Sequence, residues 1–170
     1  IVAQGWLIYR ISHSATLLAV DQFLNGIPIF LFSLVGGVVA DRVERRKILL
    51  GSQYLQMASA ATLTLLVAFG WVKVWEILCL SFISGFAQAF GGPAYQALIP
   101  TLVDREDMPN AIALNSIQFN LALTVGPALA GQALAKLGER WCFGLNALSF
   151  LAPIISLWLI SARFHPQKTS

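Results

Sequence analysis

Six of the seven residues from Asp41 to Lys47 are charged, in the stretch GGVVADRVERRK (Gly36–Lys47), and they follow closely on two glycines. Such a cluster can do two kinds of work. Asp41 ends an apolar run, where the negative pole of a helix already disfavours a carboxylate, so it needs a positive partner: Arg42, Arg45 or the N-terminus of another helix. If that partner belongs to a body that moves, the contact is a latch. The basic residues Arg42, Arg45, Arg46 and Lys47 also hold a connection on one side of a membrane, which is the simpler reading of the same residues.

The other chemistry-bearing residues lie inside apolar runs. Asp21, Asn25 and Pro28 share one helical face; Ser84, Gln88, Gly91 and Tyr95 recur at intervals of four, three and four; Asn115 and Gln118 stand one turn apart. Uncharged amides, hydroxyls and a phenol in hydrocarbon surroundings face protein or water rather than lipid. They are candidates for the wall of a substrate cavity, with plain interhelical hydrogen bonding as the alternative for Asn115 and Gln118. Asp21 is a candidate proton carrier, although its place near the edge of its run points to contact with water. No His lies within an apolar run, no Ser–Lys pair occurs at helical spacing in one, and neither metal-ligand spacing nor a G-x-x-x-x-G-K-[ST] loop is present. The residues therefore argue against an enzyme, a metal centre or a nucleotide cofactor.

The elements that position these residues follow from composition. Of 170 residues, 57% are hydrophobic and 11% charged, with a mean hydropathy of +0.72, against roughly 25% charged in a soluble domain. The charges leave uninterrupted runs at 22–40, 48–72, 77–103, 108–135 and 141–162. Each is long enough to cross a hydrocarbon core of about 30 Å as a helix, and lipid tolerates no unpaired backbone. The expected fold is an all-α polytopic membrane bundle. It has five full spans, at about 17–40, 48–70, 76–100, 109–135 and 141–162, after a first helix truncated to about residues 1–9.

Lys and Arg counted over alternate connections give seven on the side of Asp41–Lys47 and four on the other. The denser side is the cytoplasmic one in a plasma or bacterial inner membrane, and it also receives the C-terminal end. Trp71, Trp75 and Trp141 gather at the opposite ends of the spans, as an interfacial aromatic belt does. His13 and His165 then lie on opposite sides, and Cys79 and Cys142 are expected to be free. The net charge of +3 is absorbed by this topology and gives no reason to propose a nucleic acid as partner.

Three motifs carry a resemblance. The stretch Gly37–Lys47, G-x-x-A-D-R-x-x-R-R-K, closely resembles the loop between the second and third helices of the major facilitator superfamily of secondary transporters. GPALAG, with Gly126, Pro127 and Gly131, resembles the Gly-Pro motif of its exporters. Pro93–Ser116 is similar to the segment joining helices four and five in its siderophore-exporter and macrolide-efflux branch. Glu44 stands where the loop signature has Gly, and Ala130 replaces the first of a Gly pair. The resemblance covers the whole chain as an N-terminal six-helix half whose partner is a C-terminal half of the same protein. It implies efflux of a small amphipathic molecule by alternating access, driven by an ion gradient. An importer of a small solute and a non-transporting membrane scaffold are the alternatives. It also assigns a cytoplasmic gate to Gly37, Asp41, Arg42, Arg45 and Arg46. The stripe Ala122, Gly126, Ala130 and Ala133 is expected to pack closely against another helix, with Pro127 allowing a bend.

Overall fold

A computed structural model of the chain describes residues 2–159, and of Asp41 the backbone alone. Its elements are all helical: α1 Val2–Ser12, α2 Ala15–Arg42, α3 Arg45–Phe69, α4 Val74–Leu102, α5 Met108–Leu137, α6 Glu139–Ser149 and α7 Leu151–Leu159. Local signals account for the ends. The α3 helix stops at Gly70, which takes a left-handed conformation (φ 72°) and donates its N–H to the last-turn carbonyls. Glu76 accepts the Lys73 N–H at 3.0 Å where α4 begins, and Pro109 stands in the first turn of α5, where a missing N–H costs nothing.

Four stretches are long and apolar enough to cross a membrane: Ala15–Ala40, Val74–Leu102, Met108–Leu137 and Glu139–Leu159, the last formed by α6 and α7 in succession. The chain is a multi-pass integral membrane protein. The expected count of five full spans is therefore not reached by length and apolarity alone. The helix that drops out is α3, 25 residues long but carrying Arg45, Arg46 and Lys47 in its first turn and Gln53, Gln56, Thr62 and Thr64 further along. The first helix extends to Ser12 rather than Tyr9, and residues 160–162 of the expected last span lie outside the described residues.

The Asp41–Lys47 connection differs from expectation. Helix α2 runs through Arg42 and α3 begins at Arg45, so only Val43 and Glu44 separate the two. Most of the charged cluster is helical, and Lys47 pairs with Glu44 at 2.9 Å.

Central to the bundle is α4, packed against both α2 and α3, with α6 on the far side of α3 and α5 at the periphery. Glycines make the α2–α4 contact. A Cβ on Gly85 would strike the backbone carbonyl of Asn25, and one on Gly36 would come within 2.5 Å of the Ala89 oxygen. Pro93 removes the N–H that would normally bond that same Ala89 carbonyl, leaving it open to the Cα–H of a close neighbour. Gly91 admits the Ser52 side chain of α3 in the same way. Gly37, Gly126 and Gly131 have no atom within 4 Å of an added Cβ. Gly126 and Gly131 thus have no close neighbour among these helices, and α5 buries no residue, although it touches α1 and α6 and its Ala130 and Ala133 line a cavity shared with them.

Two apolar clusters plug the ends. Leu7, Ile8, Leu63, Val67, Ile77 and Phe143 close the end where α1 finishes and α4 begins. Ala40, Leu49, Ala94, Leu98 and Leu157 close the Arg45 end. The buried polar side chains Asp21, Ser52, Ser59 and Ser81 belong to α2, α3 and α4 and lie away from the helix ends.

Candidate functional site

A cavity of about 410 Å³ opens among the helices, bounded by residues of α1 to α6. Its polar groups are Gln4, Asn25, Gln56, Ser59, Ser84 and Asn146, set among the apolar walls of Leu63, Leu80 and Phe143. The lining suits an uncharged or amphipathic guest, since it offers amide and hydroxyl partners and no side-chain charge. Asn25 and Ser84, both read from the sequence, reach this cavity; Gln4, Gln56, Ser59 and Asn146 were missed. Their shared signal is an uncharged polar residue inside an apolar run, visible in the sequence only once the helices are known to bring them to one depth.

The remaining cavity candidates stand elsewhere. Tyr95 Oη donates to Asn115 Oδ1 at 2.9 Å, joining α4 to α5. The structure therefore unites these two, with Tyr95 exposed and Asn115 half-buried, and Gln88 and Gln118 are exposed on the same two helices. The polar face expected along α4 is split, because Gly91 turns inward to Ser52 while Gln88 and Tyr95 turn outward.

Asp21 is not in contact with water. It is 3% exposed, held by Gln4 Nε2, which donates to Oδ1 at 2.9 Å and Oδ2 at 3.2 Å. Ser81 Oγ donates to the same Oδ1. The expectation of exposure failed because α1 and α4 cover the carboxylate, and a span read alone does not reveal its neighbours. Asn25 Nδ2 donates to the Ser81 carbonyl at 3.2 Å, so this buried network adjoins the cavity wall.

At the opposite end two arginines donate to backbone carbonyls of other helices. Arg45 Nη1 donates to the Ala97 carbonyl of α4 at 2.7 Å. Arg46 donates through Nε to the Leu157 carbonyl at 2.7 Å and through Nη2 to that of Trp158 at 3.2 Å. Its guanidinium also lies 5.9 Å from the Trp158 ring, and Trp158 Nε1 donates to Tyr54 Oη at 3.1 Å. Arg42 is exposed, and the side chain of Asp41 lies outside the described residues. Cys79 and Cys142 are free. Among the described residues no group of three His, Cys, Asp or Glu side chains could hold a metal ion.

Residues 1–169 match the family model described as "transmembrane secretion effector", a branch of the major facilitator superfamily. The chain belongs to the major facilitator superfamily. It is 31% identical over 169 residues to the enterobactin exporter of Shigella boydii, covering 95% of this chain and 41% of that protein. The enterobactin exporter of Citrobacter koseri is equally similar, at 31% with the same coverage. The staphyloferrin A transporter of Staphylococcus aureus is 26% identical over 157 residues, covering 91% and 39%. The chain thus spans about two fifths of the length of these curated relatives. No solved structure matches. Major facilitator proteins carry solutes across membranes and form a non-catalytic class.

Proposed function

We propose that this chain is one six-helix half of a secondary active exporter of a small amphipathic molecule of the siderophore class. The observation that carries the reading is the similarity of the whole chain to exporters of enterobactin, supported by the polar groups Gln88, Tyr95, Asn115 and Gln118 that α4 and α5 carry away from the core. A second half of the same protein packs on α5, whose exposed Ile112, Leu114, Ile117, Leu121 and Leu129 find no partner among these helices. Substrate sits between the halves near the midplane, with alternating access driven by an ion gradient. Gln88, Tyr95, Asn115 and Gln118 face it from this half. Gly126, Pro127 and Gly131 provide the small-residue surface of α5 for close approach and bending.

Gly37, Asp41, Arg42, Arg45 and Arg46 form the cytoplasmic gate. Arg45 and Arg46 tie the start of α3 to α4 and α7, and Asp41 makes the contact that changes between conformations. Loss of about 1.4 kcal/mol from one conformer would shift the ratio of conformers about tenfold.

The test uses cells that lack their own enterobactin exporter and are made to synthesise enterobactin. Expression of the full-length protein is expected to raise extracellular enterobactin and lower the intracellular pool, whereas Asp41→Asn reaches the membrane at normal abundance and exports slowly. Unchanged pools with the wild-type protein in the membrane would remove enterobactin as a substrate. Wild-type rates for Asp41→Asn would reduce the cluster to a topology signal.

A further inference from the structure

At the end of the bundle opposite Arg45, a second cavity of about 780 Å³ opens among α1, α3, α5 and α6, within the range of roughly 300–1,000 Å³ common to small-molecule sites. Two of the apolar stretches, Met108–Leu137 and Glu139–Leu159, terminate at it, so it sits where the membrane meets water. Its lining changes character with depth. Arg10, Glu139 and Arg140 stand at the rim beside Gly70 and Gly138. The floor is apolar: Val67, Leu134 and Ala135, with Gly131 deepest. That glycine is six residues before the end of α5, about 9 Å into the span at 1.5 Å per residue. Trp6 and Trp141 complete the wall, and an indole, apolar with one N–H, suits such a boundary.

Room at the rim comes from the two glycines. Gly70 (φ 72°) and Gly138 (φ 80°) hold backbone conformations that L side chains rarely adopt, and a Cβ added to either meets no atom within 4 Å. The charges between them are of both signs. Arg10 Nη2 pairs with Glu139 Oε2 at 2.9 Å, the Arg10 side chain being 55% exposed and that of Glu139 12%. The carboxylate is therefore largely withdrawn from water, yet one contact from a fork of five N–H donors leaves both groups with capacity to spare. Among the described residues no carboxylate lies within 4.0 Å of Arg140. The rim thus offers two guanidiniums to an anion and one carboxylate to a cation, above an apolar slot.

We propose that this cavity binds a phospholipid of the leaflet opposite the Asp41–Lys47 side, one whose headgroup joins a phosphate to a primary ammonium, as in phosphatidylethanolamine. Arg10 and Arg140 hold the phosphate, since a guanidinium presents paired N–H donors to phosphate oxygens. Glu139 accepts N–H bonds from the ammonium. The glycerol and the first chain methylenes enter the slot against Val67, Leu134 and Ala135, surface that a free solute of the same charges would leave in water. A headgroup without a cation would bring only its phosphate to Glu139, and a trimethylammonium has no N–H to donate. The site stands apart from the transporter reading, which concerns the space between the two halves.

The full-length protein, stripped of lipid in mild detergent, is titrated with phosphatidylethanolamine, its mono- and dimethyl derivatives, phosphatidylcholine and phosphatidylglycerol, all of one acyl composition. Native mass spectrometry reads the occupancy of the tightest site. Phosphatidylethanolamine should bind the wild-type protein at least about tenfold more tightly than phosphatidylcholine, a difference of about 1.4 kcal/mol. Affinity should fall at each methylation although the charge does not change. Glu139→Gln should erase the preference, and Arg10→Gln combined with Arg140→Gln should weaken both lipids at least about tenfold by removing charge-assisted bonds. Arg105→Gln, an equal change of charge at an exposed position in the α4–α5 connection, should alter neither. Equal affinity along the methylation series would overturn the proposal without recourse to any variant. Tighter binding of phosphatidylglycerol, a preference that survives Glu139→Gln, or displacement of the lipid by free phosphoethanolamine would overturn it too.

Discussion

Gly85→Leu is expected to abolish folding of the bundle in the membrane. The side chain would enter the backbone of α2 at Asn25, where the carbonyl carbon lies 2.9 Å and the Cα 3.1 Å from the position of an added Cβ. A backbone cannot swing aside as a side-chain tip can. Overpacking alone typically costs about 1–3 kcal/mol, and here α4 must also separate from the helix it packs against most extensively. Gly26→Leu is the control: it changes the same kind of residue on α2, with no atom within 4 Å. The check is the fraction of protein recovered as a monodisperse species in mild detergent. Gly85→Leu should fall at least about tenfold below the wild type, consistent with a loss at the middle of that range; equal recovery of the two variants would show that the α2–α4 contact is looser than described.

Arg46→Ala is the second large effect. It removes both donors from the Leu157 and Trp158 carbonyls and the cation from above the Trp158 ring. Hydrogen bonds to charged groups contribute about 1.5–3 kcal/mol. The residue is half-buried, so solvent screens it only in part. Release of α7 should appear as rapid proteolysis near Trp158 and a lowered unfolding temperature. Arg46→Lys keeps the charge but not the fork that reaches two carbonyls, and should recover only part of the loss. Arg42→Ala, at the exposed last residue of α2, should leave both readouts unchanged.

These effects mark what a sequence can and cannot carry. The membrane class, the helical elements and the family motif were legible because apolar length and charge placement are properties of single segments. Asn25 and Ser84 were recognised for the same reason, as polar residues where lipid would reject them. Gln4, Gln56 and Asn146 escaped because they lie in three different runs, and only the packing of α1, α3 and α6 brings them to a shared cavity. The burial of Asp21 was misread for a related reason: its cover comes from Gln4 and Ser81, which lie 17 and 60 residues away in the chain. The α5 stripe was read as a packed face, yet no atom of these helices comes within 4 Å of a Cβ placed on Gly126. Small residues record that something approaches closely, not which helix it is. Arg46 was read as a gate residue from its motif; the structure has it donate to carbonyls of α7, a contact that spacing within the motif does not encode.

The central claim is that this protein moves an amphipathic solute across a bilayer against its gradient. Its most direct measurement is accumulation of enterobactin by vesicles containing only the purified full-length protein, oriented with the Asp41–Lys47 side outward and given an acid interior. The account predicts accumulation above the equilibrium level while the pH gradient lasts and release when an ionophore collapses it. Enterobactin that equilibrates without accumulating, or that fails to enter with the gradient intact, would contradict it.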